Sequence, residues 1–400
     1  MIPRRDIIIY NGLLRYIFLY IKNCFFRKNC KDIFTISLQK YFLTNNIFLF
    51  NYGRTALATI FKIVDFKKGD EIIIPNYYLK ELIPWLRKVG LKPIFCDINK
   101  KHLSSNLRDV ISKITPKTKF VILFHTFGYC QDIDYFIKRV KSKKNDIIII
   151  EDCAHAFGSE YKNKKLGTFG DFSFFSFNYI KPLNLLSGGL LVINSNKYQK
   201  KALTVYTKIK NASKIEIVKK IIRYYFISLF LKTHLFYIAK YFLKNKRTRS
   251  LIKKLYRTPS QKIKIKKLSN LQSMLGYYQL KKFNEKQNKI QYIINYYEKK
   301  IDKTIWQKRP LGYNSKLSNY FLVIMGQKNS SKLEDFMSKN NIDIGIKDEL
   351  IDICKKDKDL KNSISAYNSL FQLPLYFTLK KEKIDKIANT LNKFFRNENY

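Results

Sequence analysis

The sequence predicts an α/β fold built on a mostly parallel, seven-stranded sheet. Two observations carry that expectation. Seven short apolar runs recur between Ile47 and Asn194, separated by polar or helix-length stretches. Runs that are apolar throughout, rather than alternating, mark strands buried on both faces, the condition of a parallel sheet covered by helices. The second observation is that acidic and histidine side chains stand at the ends of such runs, where βα crossovers place ligand-binding loops.

The elements follow in order. Residues 1–46 read as an N-terminal helical segment, with an apolar, aromatic and basic run at Leu13–Lys22. Residues 47–197 form the large domain, with strands at Ile47–Phe50, Glu71–Pro75, Pro93–Cys96, Phe120–Phe124, Ile147–Ile150, Phe172–Phe175 and Gly189–Ile193. Gly53 follows the first strand and opens a helix expected over Thr55–Ile63. Backbone N–H groups at such a helix start hold a dianion well, and glycine lets a ligand approach the backbone. Arg54 adds a positive charge beside it.

Residues 198–268 form a basic, aromatic insert with one acid, Glu216, and a centre at Ile221–Leu243 rich in Tyr, Phe, Leu and Ile. Its longest uncharged run, Tyr224–Leu231, falls far short of the roughly 18 residues a spanning helix needs. Two placements stay open for it: flat on an anionic membrane surface, or packed on the core or a dimer interface. Residues 269–400 read as a smaller C-terminal α+β domain.

The chain has 400 residues, 46% hydrophobic, enough for a large core in two lobes. Its 77 Lys plus Arg against 30 Asp plus Glu leave a formal charge of +47. That excess favours anionic partners such as nucleotide-linked substrates or acidic headgroups. A lysine-biased, AT-rich genome would produce the same excess without any such partner. No nucleic-acid module is recognisable, so nucleic acid is not an expected partner. Six scattered cysteines and four dispersed histidines form no metal-ligand spacing; no metal is expected, and a reduced, cytoplasmic compartment fits. The first residues, Met1–Asp6, contain an acid and lead to no small-residue cleavage site, so a secretory signal is not expected.

The chemistry concentrates in two stretches. Lys181 sits in Phe175-Ser-Phe-Asn-Tyr-Ile-Lys-Pro-Leu-Asn184, and Asp152 lies 29 residues earlier in Glu151-Asp-Cys-Ala-His-Ala156. An acid ending a buried strand, then a serine-bearing strand, then a lone lysine is what a pyridoxal 5′-phosphate (PLP) site needs. Lys181 would carry the cofactor covalently, and Asp152 would pair with its protonated ring nitrogen, keeping the ring an electron sink. Ser176 would bond the phosphate.

These residues resemble the DegT/DnrJ/EryC1/StrS family of PLP-dependent sugar aminotransferases, whose blocks recur in order from about Ile47 to the C-terminus, apart from the insert. They are Asn51-Tyr-Gly-Arg-Thr-Ala-Leu57, Gly69-Asp-Glu-Ile-Ile-Ile-Pro75, His125-Thr-Phe-Gly128, Glu151-Asp-Cys-Ala-His-Ala-Phe-Gly158, Gly167-Thr-Phe-Gly-Asp171 with Phe175-Ser-Phe177, Ser269–Leu280 and Leu373-Pro-Leu-Tyr376. The resemblance implies PLP fold type I, the aspartate aminotransferase-like fold, and a homodimer with sites at its interface. It implies a nucleotide-linked keto sugar as substrate, an amino acid such as glutamate as donor, and a role in cell-surface polysaccharide biosynthesis. Lys181 is then the general base and acid that shuttles a proton, and its presence argues against a sister 3-dehydration activity that uses His there. His155 falls where the family places a contact to the cofactor's ring oxygen. By count Leu79 falls where an aromatic stacks on the ring; Leu cannot stack, and Tyr78 is the candidate.

Two positions depart from the family pattern. The Asn that reaches the neighbouring subunit's phosphate is missing from Ile265–Ser269; either Lys266 or Lys267 substitutes for it, or the contact is lost. The acidic residue before the paired glycines is Ser187. These departures leave room for a second reading, a catalytically silent scaffold held at the inner face of the membrane.

Overall fold

The computed structural model describes residues 2–4, 29–213, 216–224, 263–318, 321–326, 330–346, 350–354, 357 and 359–397. All seven apolar runs are strands: β1 Ile47–Phe50, β2 Glu71–Pro75, β3 Lys92–Cys96, β4 Thr118–Phe124, β5 Ile148–Asp152, β6 Phe172–Ser176 and β7 Gly189–Ile193. They form one sheet in the order β1-β7-β6-β5-β4-β2-β3. From β6 to β3 every pairing is parallel. Only β7 runs against both its neighbours. The register aligns Phe124, Asp152 and Phe174, so the acid stands level with the end of β4 and with the middle of β6.

Two-sided burial explains the unbroken apolar runs. Side chains alternate across a strand, so Ile72 and Ile74 enter one core while Ile73 enters the other. Helix α1 (Cys30–Phe42) covers one face through Phe34, Leu38 and Phe42. Helix α2 (Gly53–Ile63) covers the other through Ala56, Leu57, Ile60 and Ile63. It begins two residues before the expected start, because Gly53 and Arg54 take helical geometry behind Tyr52. Helix α3 (Ile133–Lys143) starts with Asp132 accepting the Tyr135 N–H.

Of the insert, helix α4 (Gln199–Thr207) and a helical stretch at 216–224 are described. Ile217 and Ile221 of that stretch are buried with Cys30, Leu186, Met274 and Leu275. Of the two placements open for residues 198–268, the described stretch 216–224 takes packing on the protein. The rest of the aromatic centre, most of the Tyr224–Leu231 run and the Leu13–Lys22 run lie outside the described residues. Among the described residues no helix is long and apolar enough to cross a membrane.

Helices α5 (Asn270–Lys281) and α6 (Phe283–Lys300) lead into the C-terminal part. There Leu322–Met325, Leu370–Leu373 and Gly345–Ile346 make an antiparallel three-stranded sheet. It shares a core with α7 (Ser330–Lys339) and α9 (Lys381–Asn397) through Leu322, Ile324, Phe371, Met337, Ile387 and Leu391. The intervening helix α8 (Lys361–Ser369) is anchored at its start by Asp97, which accepts the N–H groups of Asn362 and Ser363. A carboxylate there complements the helix dipole and fixes the smaller lobe on the larger. A second tie pairs Ile351–Asp352 with Tyr77–Tyr78, beside the end of β2.

Candidate active site

Asp152 is the last residue of β5 and is 3% exposed; Lys181, on the loop between β6 and β7, is 7% exposed. The loop closes on itself, with Leu185 N–H bonded to Phe177 O and Lys181 N–H to Asn178 O. Lys181 Nζ lies 5.8 Å from the centre of the Phe321 ring, which the C-terminal part contributes. Burial raises the Asp152 pKa to about 6, although the Tyr78 phenol, the Ala154 N–H and the charge of Lys181 all favour its ionised form. The desolvation penalty outweighs them because the carboxylate sits among apolar groups. An acid kept this costly to ionise, next to a buried lysine, suits a cationic ring nitrogen as its partner.

Tyr78 takes a contact the sequence did not suggest. Its phenol donates to Asp152 Oδ2, and its ring meets Phe124 edge-on at 5.1 Å. Burial, then the neighbouring Asp152 charge, pushes the phenol pKa well up, so it stays a donor. Ala154 N–H holds the other carboxylate oxygen at 2.9 Å.

His155 lies nearly parallel to Phe127, and its Nδ1 accepts the Phe127 N–H at 3.2 Å. That bond leaves the proton of the neutral ring on Nε2, which makes Nε2 a donor. The neighbouring acid, Glu151, is an anchor that sequence reasoning passed over. Its oxygens accept the N–H groups of Gly167, Phe169 and Gly170 and bond His125 Nε2 at 2.9 Å. Burial works to raise its pKa, yet the bonds from His125, Gly170 and Phe169 hold it below the usual carboxylate value. Its signal was its place in a strand apolar on both sides. His125, Glu151 and Cys153 lie close enough to hold a metal. The Glu151 oxygens are already filled by N–H donors and His125, and burial pushes the Cys153 thiol pKa well up.

The phosphate end is built on α2. The hydroxyl of Thr55 accepts the Tyr52 N–H, while the N–H groups of Gly53 and Arg54 find no acceptor among the described residues. Gly53 is required by close packing: a Cβ there would lie 3.0 Å from Phe175 O and from Ser176 Cβ. Gly53, Arg54 and Ser176 are therefore gathered at one helix start, and its unfilled donors suit a phosphate. Lys266 is engaged elsewhere, paired with Glu216 at 2.9 Å, and Lys267 points to Thr207 O. Ser187 accepts from Gln272, whose amide also bonds Ser187 O.

A separate cleft lined by Lys101, Arg108, Gln131, Arg139 and Tyr313 contains none of these residues.

The DegT/DnrJ/EryC1/StrS aminotransferase family model matches residues 28–222 and 258–392. A GDP-perosamine synthase of Escherichia coli O157:H7 is 36% identical over 142 residues, 36% of this chain and 38% of that protein. A GDP-perosamine synthase of Vibrio cholerae is 32% identical over 165 residues, 41% of this chain and 44% of that protein. These matches span less than half of either relative's length. Among solved structures, a putative sugar aminotransferase from Streptococcus pneumoniae in its PMP form superposes with a TM-score of 0.74 at 18% identity, covering 97% of this chain and 98% of the other. Helicobacter pylori PseC, an aminotransferase of pseudoaminic acid biosynthesis, gives 0.69 at 21% identity, covering 92% of each chain.

Proposed function

Because the chain belongs to the DegT/DnrJ/EryC1/StrS aminotransferase family, we propose that it is a PLP-dependent aminotransferase of a nucleotide-linked keto sugar. The donor in this proposal is an amino acid such as glutamate, the working unit is a homodimer, and the product feeds cell-surface polysaccharide biosynthesis. The observation that carries the reading is the burial of Asp152 and Lys181 together, with an unfilled helix N-terminus at Gly53 nearby. The relatives' names support a nucleotide-sugar substrate.

PLP, when bound, supplies the electron sink that makes the donor's α-proton labile. Asp152, oriented by Tyr78 and Ala154, holds a positive charge on the ring nitrogen. Tyr78 also supplies an aromatic wall beside that acid. His155 would supply the contact to the ring oxygen. Gly53, Arg54 and Ser176 hold the phosphate. Lys181 Nζ would hold the cofactor and, as a free amine, would accept and return the proton; its burial would keep water from competing for it.

Two measurements test this. Purified protein with PLP should acquire the visible absorbance of a lysine-bound cofactor. Amino transfer from glutamate should then be seen with a panel of nucleotide-linked keto sugars. Protein that stays colourless at excess PLP would sink the proposal in favour of the silent scaffold.

A further inference from the structure

The described helical stretch of the insert reaches the phosphate end of the site. Ile217 and Ile221 bury one face of it against Leu186, Met274 and Leu275. Tyr224 lies 4.8 Å, centre to centre, from Tyr179, two residues before Lys181. Glu216 is tied to Lys266 at 2.9 Å. Lys220, one turn after Glu216, is aimed by these contacts into the loop between β6 and β7. Its Nζ is 3.0 Å from Ser187 Oγ and 4.3 Å from the centre of the Tyr52 ring.

Tyr52 is the residue just before Gly53, and Arg54 lies over the same ring at 4.9 Å. The start of β7 is pressed onto this turn: a Cβ on Gly189 would come within 2.6 Å of Gly53 N. Ser187 and Lys220 therefore stand beside the α2 N-terminus. Two cations flank one aromatic ring, and among the described residues neither forms an ion pair. Both charges lie over the residue that precedes the helix start, so an anion bound there would be attracted to both.

We infer that Lys220, on the helical stretch 216–224, is a ligand of the cofactor's 5′-phosphate where the family's Asn is missing. The inference rests on the PLP reading above. It gives the helical stretch 216–224 a role in the active site, and it gives Ser187 a reason to replace an acid. A carboxylate there would pair with Lys220 and compete with the phosphate.

The test compares two ligands that differ only in the phosphate. Full-length protein freed of cofactor is titrated with PLP and with pyridoxal, and binding is read from the visible absorbance of the lysine-bound aldehyde. Lys220→Met keeps the side-chain stem over Tyr52 and removes the charge; its thermal midpoint confirms folding. A charge-assisted bond to phosphate predicts that the variant binds PLP roughly ten- to a hundredfold more weakly. Pyridoxal binding should stay within about twofold, and Lys220→Arg should restore most of the PLP affinity. Equal weakening of both ligands would assign Lys220 a structural role and overturn the inference. So would unchanged PLP binding, with the cofactor reading left standing. If the unaltered protein bound neither ligand, the cofactor reading would fall and the inference with it.

Discussion

Replacing Asp152 with Asn should stabilise the cofactor-free protein while disabling the enzyme. Burial raises the Asp152 pKa from an ordinary 3.8 to about 6. Two units at about 1.4 kcal/mol each put the cost of keeping this charge buried near 3 kcal/mol. The sign follows from linkage. A carboxyl whose folded pKa is raised binds its proton more tightly when folded, so its penalty is absent below about pH 4. It grows as pH rises and is complete above about pH 6. Asn carries no charge but has one carbonyl oxygen for two donors, the Tyr78 phenol and the Ala154 N–H. Losing one of those bonds costs about 1 kcal/mol. Asp152→Asn should therefore gain about 2 kcal/mol over the unaltered protein at pH 7.5 and lose that gain at pH 4. Urea denaturation at one protein concentration, repeated from pH 4 to 8, reads the difference directly. With PLP bound the order should reverse, because the charge then faces a cationic ring nitrogen, and transamination should fall at least roughly a hundredfold. A stability difference that stays flat across this pH range would show that Asp152 ionises like an exposed acid, and the electrostatic reasoning would fail.

Borohydride reduction of the PLP-loaded protein, followed by peptide mass mapping, should place a pyridoxyl group on Lys181; a label on a different lysine would refute the assignment. Glu151→Gln should cost about 3 kcal/mol or more in urea denaturation at pH 7, since its amide would face N–H groups that the carboxylate now accepts; a loss below about 1 kcal/mol would contradict its role as the anchor of the 167–170 turn. Gly189→Ala puts a Cβ 2.2 Å from Tyr52 O. It should displace the start of α2 and weaken PLP binding at least about tenfold, with circular dichroism unchanged; unaltered affinity would separate this turn from the phosphate.

The sheet was legible in the sequence because burial on both faces makes the strands apolar almost throughout instead of alternating. That physical demand is local, so Ile47–Phe50, Glu71–Pro75 and Gly189–Ile193 match the structure residue for residue, and the other four runs lie within or beside their strands. Asp152 and Lys181 were singled out by their order along the chain, an acid ending a buried strand, a serine-bearing strand and then a lysine, and the structure buries both. What only the tertiary structure decided are contacts between distant segments. Phe321 reaches Lys181 from the other lobe, Gln272 bonds the loop that bears Ser187, and Tyr78 turns its phenol to Asp152. Lys220 is one lysine among many along the chain, and only the packing of Ile217 and Ile221 points it at Tyr52. Periodicity records which face of an element is buried. It carries no information on which distant residue will meet that face, because that choice is made by how whole elements pack.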